Sequence, residues 1–193
     1  RLARAMEGRG FEVDTADSVA EAVTKAKARP PAYAVVDMRL ADGNGLDVVA
    51  AIREKRADSR TIILTGYHQI AGEKKYSLDA LWPNTKVDVA GFDIYNFYKT
   101  TNKTGTTITK PSDLRHVYFE PISKFVASKG AAWGLAETGF NDAAAEDLPN
   151  LMKETYDAMV DNKGVAFSYF NSGLNSSSSW VITTSPKLTQ FKN

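Results

Sequence analysis

The chain has 193 residues, and its 24 Lys and Arg against 23 Asp and Glu give a formal net charge of +1. This length suits one medium α/β domain or two small ones. The balanced charge lacks the basic excess of nucleic-acid or membrane-surface binders, so we expect neither partner. The absence of cysteine excludes disulfides, thiolate metal ligands and a cysteine nucleophile.

Residues 1 to 67 show helical and strand patterns in alternation. Tyr33-Ala34-Val35-Val36 is a continuous apolar run, typical of a central parallel strand covered on both faces, and it ends on Asp37. The other predicted elements are a helix from Leu2, a strand at 11–13, a helix from Val19 to the Pro30-Pro31 stop, a loop over 39–45, a helix over 46–56 and a strand over 61–64.

Residues 68 to 193 continue the alternation. The predicted elements are a helix near 76–82, a strand over 87–95, a surface loop over 99–109, a helix from Pro111 to about 129, a strand over 132–137, a helix over 143–162 and a strand over 165–170. No apolar run approaches the roughly 20 residues of a membrane span, and the first residues lack a signal-peptide core. We therefore expect a soluble, cytoplasmic protein.

These patterns predict an α/β fold in which six mainly parallel strands alternate with helices. Such units keep functional residues at the carboxyl ends of the strands. Six strands are too few for an eight-stranded barrel, which predicts an open sheet or an incomplete barrel whose exposed edges favour a homo-oligomer.

The run YAVVDMRLADGNGLDVV resembles the receiver domain of bacterial two-component response regulators, especially the proteobacterial redox-responsive kind. The resemblance covers residues 1 to 67 and implies a flavodoxin-like fragment. It implies that Asp37 is the phospho-acceptor and that Thr65, in ILTGY, is the hydroxyl that follows the phosphoryl group. A carboxylate at a strand end agrees with where open α/β sheets bind ligands.

The same resemblance implies residues that this sequence does not supply in a recognisable motif. Receivers carry an acidic pair after their first strand and a lysine after their fifth, whereas the first strand here would precede Arg1 and only Lys74 and Lys75 lie in the right region. A Mg²⁺ ion at Asp37, with the carbonyl of Arg39, would lack its usual anionic ligands. We therefore predict no cofactor, with Asp37 as the weak candidate for Mg²⁺, and phosphotransfer is not expected.

Three later motifs, VDVAGFDIYNFY, AAWGLAETGF and VAFSYFNS, together resemble the last strands of a retaining, mannanase-like glycoside hydrolase (βα)₈ barrel, from about residue 77 to 193. The resemblance implies that Glu137 is the nucleophile. It places Trp82, Asp93, Tyr95 and Trp180 near a cleft that binds an oligosaccharide. A retaining mechanism needs a second carboxyl group about 5 Å from the first, and the strand that would carry it falls before this segment.

We therefore predict two fragments, 1–67 and 68–193, joined in one continuous fold: an engineered or recombined scaffold with no intact active site. Two alternatives stay open. One is a retaining glycoside hydrolase that uses Glu137, and the other is a phospho-accepting receiver module that uses Asp37. His68 and His116 lie in no ligand spacing with acidic residues, so no metal site is predicted.

Overall fold

The computed structural model describes residues 2–65, 78–82, 86–102, 104–173, 180–182 and 185–192. The chain divides into two compact units, Arg1–Ile63 with Pro83–Val87, and Leu64–Trp82 with Asp88–Asn193. The predicted division at residue 67 and the predicted single continuous fold stay predictions.

The first unit begins with two helices and a strand, followed by a short hairpin, a third helix and a second strand. The elements are α1 (Leu2–Glu7), α2 (Val19–Ala28), β1 (Tyr33–Asp37), β2 (Arg39–Leu40), β3 (Gly43–Asn44), α3 (Gly45–Lys55) and β4 (Arg60–Thr65). The last two residues of β4 belong to the second unit. Helix α2 starts where the Ser18 side chain accepts a hydrogen bond from Glu21 N, and it ends at Ala28, with Arg29 as its C-cap before Pro30.

The core of the first unit lies between its strands and α3. Helices α2 and α3 pack against each other, and β1 neighbours β4 in the sheet. The buried apolar side chains at this contact are Val36, Val48, Val49, Ile52 and Ile63. This packing fixes β1, and with it the position of Asp37 at the carboxyl end of the strand.

Three predictions for this unit were wrong. Residues 11–13 form no strand; Phe11 instead sets its ring edge-on to Tyr33, and Glu12 pairs with Arg29, so side chains hold this segment. Strand β1 is not covered on both faces, since Tyr33 and Val35 are exposed. The loop predicted over 39–45 contains the β2–β3 hairpin, with Arg39 opposite Asn44.

The second unit is a parallel three-strand arrangement with helices between the strands. Its elements are α4 (Leu78–Leu81), β5 (Val89–Asp93), a π-helical turn (Arg115–Phe119), α5 (Glu120–Ser128), β6 (Ala132–Thr138), α6 (Asp142–Asp147), α7 (Leu151–Asp161), β7 (Gly164–Tyr169) and α8 (Ser185–Lys192). Strand β6 lies between β5 and β7 and pairs with both in parallel. Two crossover connections of this kind require helices, as the sequence pattern predicted.

The core of the second unit lies between this sheet and the helices that follow β5 and β6. Its largest buried side chains include Phe92, Ile94, Phe119, Ile122, Val126, Trp133 and Leu135. Trp133 satisfies its ring N–H by donating to the carbonyl of Asn162, 2.8 Å away. The strands are therefore held by an apolar layer with its buried polar group paired.

The helix predicted over 143–162 is two helices. Pro149 follows α6, cannot donate a backbone hydrogen bond, and restricts Leu148 before it. Helix α8 was not predicted, and the helix expected from Pro111 begins at Arg115. A mainly parallel α/β fold is confirmed. The barrel half is not confirmed, since the described residues hold β5, β6 and β7 in this unit.

Candidate functional site

Asp37 lies at the carboxyl end of β1 with its side chain exposed to solvent. Its Oδ1 accepts a hydrogen bond from the backbone N–H of Arg39 at 3.0 Å, which orients the carboxylate without burying it. An exposed, oriented carboxylate at a strand end is the type of group that can attack a phosphorus atom.

The chain turns back sharply beyond Asp37. Gly45 N donates to the carbonyl of Met38 at 3.0 Å, and a Cβ added to Gly45 would lie 2.0 Å from the Asp37 carbonyl oxygen. Only glycine fits such a close approach of two backbone segments. Gly45 therefore holds the start of α3 directly against the end of β1.

Asp42 lies at the tip of the β2–β3 hairpin and caps α2. Its Oδ1 accepts from Val19 N at 2.7 Å and its Oδ2 accepts from Ala20 N at 3.1 Å. These bonds, with the one from Val19 as the largest cause, hold the pKa of the Asp42 carboxyl below its ordinary value. No local sequence pattern points to Asp42, because it lies 23 and 22 residues along the chain from the two amides that it caps.

The other residues implied by the receiver resemblance are only partly described. Thr65 is the last residue of β4, and its side chain lies outside the described part of the chain, as do Lys74 and Lys75. Within the described ranges, no group of three or more His, Asp or Glu residues could hold a metal ion. Mg²⁺ is usually bound through one or two carboxylates and keeps several waters, so Asp37 stays the candidate ligand and the prediction of no cofactor stays a prediction.

A second polar group lies at the carboxyl ends of the strands in the second unit. Tyr95 donates its hydroxyl hydrogen to Glu137 Oε2 at 2.7 Å, and Asp93 is the register partner of Glu137 on the neighbouring strand. The register of β5 on β6 shifts between Phe92 and Asp93, which brings the two acidic residues opposite each other. The structure thus places three of the predicted residues, Asp93, Tyr95 and Glu137, at one end of the sheet.

The surroundings of Tyr95 are aromatic, and its ring is half-buried. Burial, and then the hydrogen bond to Glu137, raise the pKa of the Tyr95 hydroxyl well above its ordinary value. Its ring contacts those of Phe97, Phe170 and Trp180, the last with centroids 5.1 Å apart. Trp180 is only 5% exposed, so it packs in this cluster and presents no open ring face on which a sugar could stack.

Trp82 does not join this group in the way predicted. Its ring packs edge-on against Phe125, with centroids 5.4 Å apart, beside the core of the second unit. Trp82 is thus a packing residue in this structure, as the base rate for tryptophan would suggest. His68 lies outside the described residues, and His116 Nδ1 lies 2.9 Å from Asp113 on the exposed surface.

Residues 1–80 match the family model of the response regulator receiver domain. The receiver resemblance of the N-terminal segment is therefore confirmed. The match includes Asp37 and Thr65. It ends at residue 80, and the glycoside hydrolase resemblance of residues 77–193 is not shown by it.

Particular relatives share this segment at high identity. The acid tolerance regulatory protein ActR of Rhizobium meliloti (strain 1021) is 65% identical over 71 residues, which is 37% of this chain and 37% of that protein. The photosynthetic apparatus regulatory protein RegA of Cereibacter sphaeroides is 66% identical over 71 residues, 37% of this chain and 39% of that protein. The chain thus spans less than two fifths of the length of these regulators.

Two further comparisons are more distant. The DNA-binding transcriptional activator DevR/DosR of Mycobacterium tuberculosis is 44% identical over 55 residues, 28% of this chain and 25% of that protein. A crystal structure of a response regulator protein from Burkholderia pseudomallei, with a phosphorylated aspartic acid, calcium ion and citrate, is 31% identical. The match covers 46% of this chain and 50% of that chain, with a TM-score of 0.37.

The expectation that no nucleic acid is a partner is wrong as an inference. It rested on the balanced net charge, whereas a relative of the same segment is a DNA-binding transcriptional activator. The net charge of one segment does not predict whether the regulators that contain such segments bind DNA. The predicted oligosaccharide partner has no support among these relatives.

No helix in the described ranges has the length and apolarity to cross a bilayer.

Proposed function

We propose that the N-terminal segment works as the phospho-accepting receiver of a response regulator, with Asp37 as the acceptor. The observation that carries the proposal is the Asp37 carboxylate, exposed at the carboxyl end of β1 and within the residues that match the receiver family. The sequence alone favoured an inactive scaffold, and the relatives favour this alternative instead.

The proposed reaction is a direct transfer. A carboxylate oxygen of Asp37 attacks the phosphorus atom of a phosphodonor, the phosphorus bond to the donor's leaving oxygen breaks, and that oxygen departs with the electron pair. Phosphoryl transfer depends on positioning and on charge stabilisation. The Arg39 N–H, 3.0 Å from Asp37 Oδ1, contributes to positioning by fixing the carboxylate.

We also propose that the output of this segment is the control of transcription. The support is the set of relatives, which are named as regulatory proteins and, for the Mycobacterium tuberculosis protein, as a DNA-binding activator. DNA would then be a partner of the regulator that carries this segment. The hydrolase alternative is not proposed, because these relatives give it no support and Trp180 is only 5% exposed.

Labelling with acetyl phosphate tests the acceptor. The chain is incubated with the donor and its intact mass is measured, and we expect a gain of one phosphoryl group that hydroxylamine removes, as it does from an acyl phosphate. Asp37→Asn should abolish the gain. Asp58→Asn, which changes an exposed carboxylate of the same unit that pairs with Arg56, should leave it intact.

Two results would contradict the proposal. One is the absence of any mass gain on the unaltered chain. The other is an equal gain on the Asp37→Asn variant, which would place the phosphoryl group on another residue.

A further inference from the structure

The hairpin after Asp37 connects the candidate acceptor to the first turn of α2. At one end, Arg39 N donates to Asp37 Oδ1. At the tip, the two carboxylate oxygens of Asp42 accept from Val19 N and Ala20 N, across 23 and 22 residues of sequence. Only two ladder pairs, Arg39 with Asn44 and Leu40 with Gly43, separate these contacts.

We propose that this hairpin relays the phosphorylation state of Asp37 to the start of α2 through Asp42. The inference rests on the proposed function, because it takes Asp37 as the acceptor. It goes further by naming the element that responds and the residue that carries the response.

The first step of the relay is a change in what Arg39 N can bind. After transfer, one carboxylate oxygen of Asp37 is the bridging atom of an acyl phosphate and the other is a carbonyl oxygen, so both are weaker acceptors than in the carboxylate. The phosphoryl oxygens carry the charge, and charge-assisted hydrogen bonds are the stronger ones. The Arg39 N–H is therefore drawn toward oxygens that lie further out along the new bond.

The second step is the direction of the displacement. The far end of the hairpin cannot yield, because Gly45 is in close contact with the Asp37 carbonyl and its N–H is bonded to Met38 O. Movement at Arg39 must therefore pass along the β2 arm to the tip. The tip carries Asp42, whose bonds to Val19 N and Ala20 N are broken by a displacement of about 1 Å, given the narrow distance range of hydrogen bonds.

The third step is the response of α2. The first N–H groups of a helix have no partner within the helix. Asp42 supplies partners for Val19 and Ala20, while Ser18 supplies one for Glu21 at 3.2 Å. Withdrawal of Asp42 leaves the Ser18 cap in place, so the first turn of α2 loosens at Val19 and Ala20 without losing the whole helix.

Amide hydrogen exchange of the full chain, followed by NMR with and without acetyl phosphate, tests the relay. A lost cap is worth about 1 kcal/mol, so we expect the Val19 and Ala20 amides to exchange about fivefold faster in the phosphorylated protein. The Glu21 amide, held by Ser18, should change little.

Two substitutions provide the matched comparison. Asp42→Ala should raise exchange at Val19 and Ala20 without phosphorylation and remove any further response to it. Ser18→Ala loosens the same helix start at Glu21 but leaves the Asp42 bonds, so the response at Val19 and Ala20 should persist. If Asp42→Ala fails to fold, Asp42→Asn, which keeps one acceptor oxygen, gives the same test with a smaller effect.

The outcomes separate this inference from the proposed function. A mass gain without faster exchange at Val19 and Ala20 overturns the relay and leaves the acceptor role standing. If no mass gain occurs, the acceptor role fails, and Asp37→Ala then tests the link alone by removing the acceptor of Arg39 N. Unchanged exchange at Val19 and Ala20 in Asp37→Ala overturns the link, and faster exchange supports it.

Discussion

At the scale of single residues, the tightest constraint in the first unit is the glycine that starts α3. A Cβ at position 45 would lie 2.0 Å from the Asp37 carbonyl oxygen and 2.8 Å from Val36 Cγ1. Both neighbours are fixed, one as backbone and one in the buried core. We predict that Gly45→Ala lowers the free energy of unfolding by about 3 kcal/mol, as overpacking against a rigid wall does, measured by urea unfolding.

Gly43, two residues earlier in the β2–β3 hairpin, provides the matched control. A Cβ at Gly43 would meet Val19 Cγ2 at 3.3 Å, a side-chain methyl that can shift. Gly43→Ala should therefore cost less than about 1 kcal/mol. Equal losses for the two variants would show that the hairpin resists any side chain and that the contact with Asp37 is not the cause.

At the scale of elements, the break between α6 and α7 depends on a residue far away in sequence. Gln190, in α8 and only 7% exposed, accepts from Met152 N at 2.9 Å and donates to the carbonyls of Ala145 and Leu148, each at 3.0 Å. Met152 N and Ala145 O are backbone groups at the two helix ends that the break at Pro149 leaves, and Leu148 O also accepts from Leu151 N at 3.1 Å. Helix α8 thus completes the hydrogen bonding of two other helices.

We predict that Gln190→Ala destabilises the protein by about 3 kcal/mol, because buried donors and acceptors lose their partners at about 1 to 3 kcal/mol each and water can reach some of them. Thermal and urea unfolding followed by circular dichroism measure the loss. Lys192→Ala, an exposed change in the same helix, is the control for helix propensity. A loss of stability no larger than that of Lys192→Ala would mean that water satisfies Met152 N and the two carbonyl groups as well as Gln190 does.

The sequence predicted the elements whose signal is local. Tyr33 to Val36 is a continuous apolar run that ends on Asp37, and both the strand and the exposed carboxylate are present. Pro149 is also a local signal: it interrupts the helical pattern over 143–162, and the structure has two helices there. Residues 11–13 have strand propensity but form no strand. Propensity alone is not enough, because a strand also needs a neighbouring strand to pair with.

Long-range contacts explain what the sequence did not reveal. The Tyr95 to Glu137 hydrogen bond joins residues 42 positions apart, and the Asp42 bonds span 22 and 23 positions. No periodicity encodes such pairs, which exist only once strands and helices are packed. The candidate acceptor could be predicted from local sequence and a family resemblance, whereas its connection to α2 required the structure.

At the scale of the whole molecule, exposed ion pairs and buried hydroxyl groups make different contributions to the pH dependence of stability. The pairs Lys25 with Glu21 and Lys153 with Asp157 are typical, with side chains 40% to 65% exposed. Pairs of this kind contribute little to stability, because solvent and salt screen them. Buried tyrosines respond more steeply, because ionisation of a hydroxyl inside the protein is opposed by the loss of water around it.

Tyr169 gives the sharpest form of this prediction. Burial raises the pKa of its hydroxyl to about 12, against about 10 in an unfolded chain, and the hydroxyl donates to the Phe140 carbonyl at 3.1 Å. Below pH 10 both states keep the proton and its contribution to stability is complete. As the pH rises from about 10 toward about 12, the unfolded chain releases the proton first, so stability falls.

Tyr169→Phe removes the ionising group while it keeps the ring contacts with Phe140 and Phe191, whose centroids lie 5.7 and 5.1 Å away. The variant should be less stable by about 1 kcal/mol at neutral pH, from the lost hydrogen bond, yet should lose stability less steeply above pH 10. Urea unfolding at a series of alkaline pH values measures both slopes. Tyr156→Phe changes a ring that is 48% exposed, and its stability should fall with pH as that of the unaltered chain does. If the stability of Tyr169→Phe falls above pH 10 as steeply as that of the unaltered chain, the alkaline loss belongs to other groups such as Tyr95.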